Sequence, residues 1–130
     1  MSSFHRPMIN LYSRNLTLSL AFYTALGFRE TFRTPTSGVP IHLELSLDQF
    51  RVGIAAVEAA SRDHGLHPGF GSRSVEIVLW CDDTDLAVQT LMEKGAPLLS
   101  PAHDFLEGKL RAAWVADPDG NPIQLVQRLA

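Results

Sequence analysis

The stretch Asn15-Leu16-Thr17-Leu18-Ser19-Leu20-Ala21-Phe22-Tyr23-Thr24-Ala25-Leu26-Gly27-Phe28 holds a whole helix with both ends marked. Asn15 is a good N-cap, because its short side-chain oxygen can accept from an orphan amide of the first turn. Leu16, Leu20 and Tyr23 then recur at helical spacing. Gly27 supplies the stop, at a position where left-handed geometry favours glycine. The same signals return further on. Asp83 caps, Ala87, Val88 and Leu91 make the apolar stripe, and Gly95 ends it. The two caps are 68 residues apart, and so are the two stops. Cap, stripe and stop falling in step argue for an internal duplication.

Strand signals surround each helix. In the first half they fall at 7–12, 28–33, 41–47 and 51–57, with a turn at 36–40 and a tight turn at Asp48-Gln49. In the second half they fall at 75–81, 97–100, 110–116 and 122–127, with the hairpin signal Asp119-Gly120. The order is βαβββ twice over, an α+β pattern in one domain spanning 1–130. The first module covers about 5–57 and the second about 74–130. Between them, 58–73 reads as a polar linker with the breakers Gly65, Pro68, Gly69 and Gly71.

Composition narrows the function classes. With 45% hydrophobic and 19% charged residues, the chain is globular. A net charge of −3 with no basic block argues against nucleic acid as a partner. No apolar run approaches the length of a membrane span. The opening MSSFHRP lacks the apolar core of a signal peptide. Cys81 is the single cysteine, which fits a reducing compartment, and a cytoplasmic location is the default expectation.

Alternation along the strands separates two faces. Ile9 and Leu11 oppose Met8, Asn10 and Tyr12; Leu43, Leu45 and Leu47 oppose His42, Glu44 and Ser46; Val75, Ile77 and Leu79 oppose Glu76, Val78 and Trp80; Ile123 and Leu125 oppose Gln124 and Val126. The aliphatic face should pack on the helices. Eight strands of this kind are expected to form a curved sheet, a cup with the helices on its convex face. Met8, Asn10, Tyr12, His42, Glu44, Glu76, Val78, Trp80 and Gln124 would line the cup as ligand-binding residues, mostly apolar with a few placed polar groups. Exposure to bulk solvent or a dimer interface is the alternative for the same residues. Trp114, aligned with Leu45 by setting residue 110 against 41, is expected in the helix-packed core.

Two segments resemble motifs of a known superfamily. Leu20-Ala21-Phe22-Tyr23-Thr24-Ala25-Leu26-Gly27-Phe28 looks like the S-x-x-F-Y-x-x-x-L-G-F segment of the first helix of the vicinal oxygen chelate proteins. Ala116-Asp117-Pro118-Asp119-Gly120-Asn121-Pro122-Ile123-Gln124-Leu125 resembles their closing D-P-D-G-N-x-x-E-L hairpin. Asp82-Asp83-Thr84-Asp85 and Glu93-Lys94-Gly95-Ala96 are similar to the ends of the second helix. This superfamily contains glyoxalase I, extradiol dioxygenases, and bleomycin- and fosfomycin-resistance proteins.

The resemblance implies a glyoxalase/bleomycin-resistance-like fold and a homodimer. In metal-dependent members, one divalent ion is held by His, Gln or Glu at the start of the first and fifth strands and in the last strand of each half. Here those positions carry Met8, Glu76, Gly53 and Gln124. A thioether suits hard divalent ions poorly, and glycine offers no donor. The expectation is therefore no cofactor and no catalytic residue. If a divalent ion is present, Glu76 with Gln124 or His42 would hold it.

Other chemistry is sparse. Glu76 could act as a general base in a dry cup, or pair with Asn10, Gln124, Arg51 or Arg111. Cys81 reads as a small buried hydrophobe, and His5, His64, His67 and His103 as solvated side chains. No Ser-His-Asp order and no glycine-rich phosphate loop is recognisable. The leading expectation is a metal-free binding protein that sequesters an aromatic, planar or cationic small molecule, such as an antibiotic, at a dimer cleft. The alternative is a divalent-metal-dependent glyoxalase-like lyase or isomerase, or a dioxygenase-like enzyme. A third possibility is a non-catalytic subunit that keeps the fold for protein contacts.

Overall fold

A computed structural model describes Ser3 and residues 5–129. The chain forms two compact units, residues 1–69 and 70–130. The first unit runs β1 (Ile9–Ser13), α1 (Leu16–Ala25), β2 (Arg29–Thr34), β3 (His42–Leu47), β4 (Phe50–Ala56) and α2 (Val57–His64). Its sheet has the order β1-β4-β3-β2, parallel between β1 and β4 and antiparallel elsewhere. The second unit runs β5 (Ile77–Trp80), α3 (Thr84–Glu93), β6 (Leu98–Phe105), β7 (Leu110–Ala116) and β8 (Pro122–Arg128). Its sheet order, β5-β8-β7-β6, repeats the first. The α+β pattern of two βαβββ modules is thus present, with eight strands in two four-stranded sheets.

The duplication extends to individual hydrogen bonds. The Leu18 amide donates to Asn15 Oδ1 at 3.1 Å, and the Leu86 amide to Asp83 Oδ1 at 3.0 Å. Both helices stop in the same way. The Phe28 amide donates to the Tyr23 carbonyl and the Ala96 amide to the Leu91 carbonyl, each at 3.0 Å. Gly27 (φ 106°) and Gly95 (φ 98°) make these returns in backbone geometry that a Cβ would strain.

Each sheet buries its aliphatic face against its helix. In the first unit, Leu43, Leu45, Val52 and Ile54 join Leu16, Tyr23 and Phe28, with the Tyr23 ring edge-on to Phe28 at 5.5 Å. A buried hydroxyl pair, Ser13 and Ser19 at 2.7 Å, ties β1 to α1. In the second unit, Ile77, Leu91, Ala113, Val115, Ile123 and Leu125 are buried. Fully burying one such Leu or Ile contributes about 1.5–3 kcal/mol. Thr84 pins the start of α3 to the sheet. Its hydroxyl donates to the Arg111 carbonyl at 3.0 Å, and its amide donates to Gln127 Oε1 at 2.8 Å.

Three local departures from the sequence reading have physical causes. The segment read as linker is not irregular throughout, since α2 follows β4 directly and packs against it. Ala59 and Ala60 are buried there, and the helix ends with the Gly65 amide on the Ser61 carbonyl. The cluster of breakers after Gly65 hides this short helix. Strand β6 is twice the expected length, because register shifts on both sides of Ser100 break its alternation. The closing motif is structural: Asp117 accepts from the Asp119 and Asn121 amides and from Asn121 Nδ2, all within 2.9 Å. Among the described residues, no helix is long and apolar enough to cross a membrane.

Candidate functional site

The strand ladders show which side chains share the faces turned away from the helices. In the first sheet, Asn10 lies opposite Gly53, Gly53 opposite Glu44, and Glu44 opposite Phe32. Tyr12, Ala55 and His42 form the next row. Directly opposed residues point to the same side of a sheet. Asn10, Tyr12, His42 and Glu44 are therefore brought onto one face, and Met8 sits one residue ahead of β1.

A small polar cluster occupies this face. His42 Nε2 lies 3.5 Å from Glu44 Oε2, and Arg51 Nη1 lies 4.0 Å from Glu44 Oε1. Arg51 Nη2 donates to the Arg6 carbonyl at 2.9 Å. Both contacts are long and partly exposed, so neither holds its partners tightly. Phe32 presents its ring to His42 at 6.4 Å. Gly53 lies beneath, and a Cβ built on it would fall 1.9 Å from Asn10 Oδ1 and 3.0 Å from His42 Cε1. The Asn10 amide and the His42 ring fill the space that a side chain at position 53 would need.

The second sheet carries an aromatic face. Val78, Gln124, Trp114 and Ser100 form one row of partners, and Trp80, Val126, Ala112 and His103 the next. Trp80 is 59% exposed, with the Arg128 guanidinium 5.4 Å from its ring centre. Trp114 donates its indole N–H to Glu76 Oε2 at 2.7 Å. His103 stacks on Trp114 with ring centres 5.9 Å apart and planes inclined by 20°. The other nitrogen-bearing side of that imidazole, Nδ1, lies 2.8 Å from the Pro101 carbonyl.

Several expectations are corrected here. Trp114 is not in the helix-packed core. It shares a face with Gln124, while its neighbours Ala113 and Val115 are buried on the helix side. The helix caps and stops repeat at 68 residues, which sets Trp114 against Ser46; an alignment one residue longer reverses every side chain. His103 is exposed as expected, and in addition its ring stacks on Trp114. Glu76 lies exposed ahead of β5 rather than in a dry pocket, and its partner is Trp114.

Arg111 is committed to Asp85 (Nε to Oδ2, 2.9 Å) and Asp104 (Nη1 to Oδ1, 2.8 Å). The hydrogen bond from Arg111 holds the Asp85 carboxyl below its ordinary pKa, and the two carboxylates raise that of Arg111. Cys81 is half-buried, its sulfur 3.6 Å from Thr84 Oγ1. His5, His64 and His67 are exposed.

For a divalent ion the donors on these faces are few. Position 8 offers a thioether, and position 53, a glycine whose side-chain space Asn10 and His42 occupy, offers nothing. Glu76 already accepts from an indole, and Gln124 is a neutral amide. His42 and Glu44 supply only two donors, and no third His, Cys, Asp or Glu joins them among the described residues. These residues do not fit a divalent ion, which is held by more oxygen or imidazole donors than are gathered here.

Residues 5–125 match the family profile of the Glyoxalase/Bleomycin resistance protein/Dioxygenase superfamily. The chain belongs to this superfamily. Among solved structures, hypothetical protein SA1046 from S. aureus superposes with a TM-score of 0.81 at 19% identity, covering 97% of this chain and 95% of that one. A glyoxalase-related enzyme from Fulvimarina pelagi gives 0.78 at 21% identity, covering 96% and 89%. A superfamily member from Sphaerobacter thermophilus DSM 20745 gives 0.68 at 26% identity, covering 95% and 98%. No curated protein matches the chain. Across such low identities it is the superfamily fold that is shared, so the chemistry of this member rests on its own side chains.

Proposed function

We propose that this superfamily member is a metal-independent binding protein that sequesters a planar or cationic aromatic compound, such as an antibiotic, as a homodimer. The observation that carries the reading is the pair of indoles on one face of the second sheet. Trp80 is more than half exposed, and Trp114 is held in place by Glu76 and His103. An indole fixed by its N–H offers a flat apolar surface at little entropic cost, and offset stacking on it contributes about 0.5–1.5 kcal/mol beyond buried area. Glu76 beside it supplies negative charge for a cationic ligand.

Titration with planar cationic and planar neutral compounds, followed by tryptophan fluorescence, tests this. Saturable quenching at one ligand per chain, with the ligand recovered unchanged, supports it. A broad panel of such compounds producing no quenching would sink it.

A second reading, catalysis, is favoured by the polar cluster of His42, Glu44 and Arg51 and by neighbours such as the Fulvimarina glyoxalase-related enzyme. It would be preferred if the purified protein contained stoichiometric metal that Glu44→Ala or Glu76→Ala released.

A further inference from the structure

The first unit contains an open pocket of about 280 Å³ at the start of β1 and β4. Pro7, Met8, Ile9 and Phe50 give it apolar walls, and Gln49 and Arg51 stand at its rim. The volume lies just below the usual range of ligand pockets, about 300–1,000 Å³, and suits a single ring or a short alkyl chain. Ile9 is 44% and Phe50 40% exposed, so apolar surface remains to be covered. The rim is set by a turn in which Asp48 (φ 47°) and Gln49 (φ 69°) both take left-handed geometry, the pattern of a tight two-residue hairpin turn.

Arg51 gives the cavity its polarity. Its Nη2 donates to the Arg6 carbonyl at 2.9 Å and, at the longer distance of 3.5 Å, to the Pro7 carbonyl, which fixes the guanidinium. Its contact with Glu44, at 4.0 Å, is beyond hydrogen-bond distance. Nη1 therefore keeps donor capacity, and a guanidinium presents donors in a fork that matches a carboxylate. We infer that this cavity is a subsite for a small carboxylate with one apolar ring or a short chain, its body against Met8, Ile9 and Phe50 and its carboxylate on Arg51. The subsite is independent of the indole face and of any metal.

The test uses the full-length protein with ¹³C-methyl methionine and ¹⁵N-labelled amides, titrated with benzoate, hexanoate, benzyl alcohol and benzylamine. Benzoate and hexanoate are expected to shift the Met8 methyl and the Gln49 and Phe50 amides saturably. Benzyl alcohol should bind at least tenfold more weakly, and benzylamine not at all. Arg51→Gln should remove the preference for carboxylate over alcohol. Phe50→Ala, which leaves Arg51 intact, should weaken both carboxylates while keeping that preference. Binding of benzylamine as tight as benzoate, an unchanged preference in Arg51→Gln, or silence at Met8 and Gln49 would each overturn the inference. Tryptophan quenching by cationic ligands should persist in both variants, which separates this subsite from the indole face.

Discussion

The indole N–H of Trp114 points at Glu76, 2.7 Å from its Oε2, so a carboxylate ahead of β5 fixes the orientation of a ring on β7. In the proposed binding site Glu76 has two separable roles: holding the ring and supplying charge. Glu76→Gln keeps an acceptor for the indole, whereas Glu76→Ala does not. Glu76→Ala is expected to shift Trp114 emission and weaken a planar cationic ligand by roughly tenfold, about 1.4 kcal/mol. Glu76→Gln should leave the emission unchanged and lower affinity for cationic ligands more than for neutral ones. Paired fluorescence and calorimetric titrations would measure both effects.

Position 53 should resist side chains in proportion to their size. Alanine there meets only the ends of Asn10 and His42, which can rotate aside, so Gly53→Ala should cost under about 1 kcal/mol while reorienting the Asn10 amide. Gly53→Glu, which places a carboxylate at the position, should cost about 1–3 kcal/mol through overpacking. Urea denaturation of both variants, with and without Asn10→Ala, reads this. Relief of the Glu variant by Asn10→Ala would confirm which side chain is in the way.

Asp117 gathers three donors from its own hairpin and is nearly fully buried. Removing a charged acceptor strands those donors, at a cost of about 1.5–3 kcal/mol. Asp117→Ala should therefore lower the thermal midpoint by several degrees, and Asp117→Asn by less, because one oxygen acceptor remains. A scanning-calorimetry series on the two variants compares them.

Acid should loosen the second unit at the Arg111 clamp. Asp85 titrates below its ordinary range in the folded chain because Arg111 donates to it. Its contribution is present above the unfolded-state pKa and is lost as pH falls through the depressed folded value. The loss in thermal midpoint on acidification should accordingly be smaller in Asp85→Asn than in the parent. Both carboxylates of the clamp are more than half exposed, so high salt should reduce the difference.

The helix ends were the most legible part of the sequence, because capping chemistry is local. Asn15, Asp83, Gly27 and Gly95 each name a hydrogen bond found in the structure. Strand faces were legible where alternation was clean, as in β3, whose Leu43 and Leu45 are buried against the helix side. Trp114 was lost to a slip of one residue, which in a strand exchanges the two faces completely. His103 was lost with β6, where the register shifts erase the period of two. Helix α2 was obscured because two alanines carry little hydrophobic pattern and the glycines that follow read as linker. Thus the aromatic face was half visible: Trp80, Val78, Glu76 and Gln124 could be read from β5 and β8, but not the ring that Glu76 orients.

The most direct test of metal-independent binding is one fluorescence titration performed twice, on protein as purified and after exhaustive dialysis against EDTA, with metal content measured in each sample. The account expects superimposable quenching curves for a planar cationic ligand and their collapse in the Trp80→Ala, Trp114→Ala double variant. Binding that vanishes with the chelated metal and returns when a divalent ion is restored would contradict it.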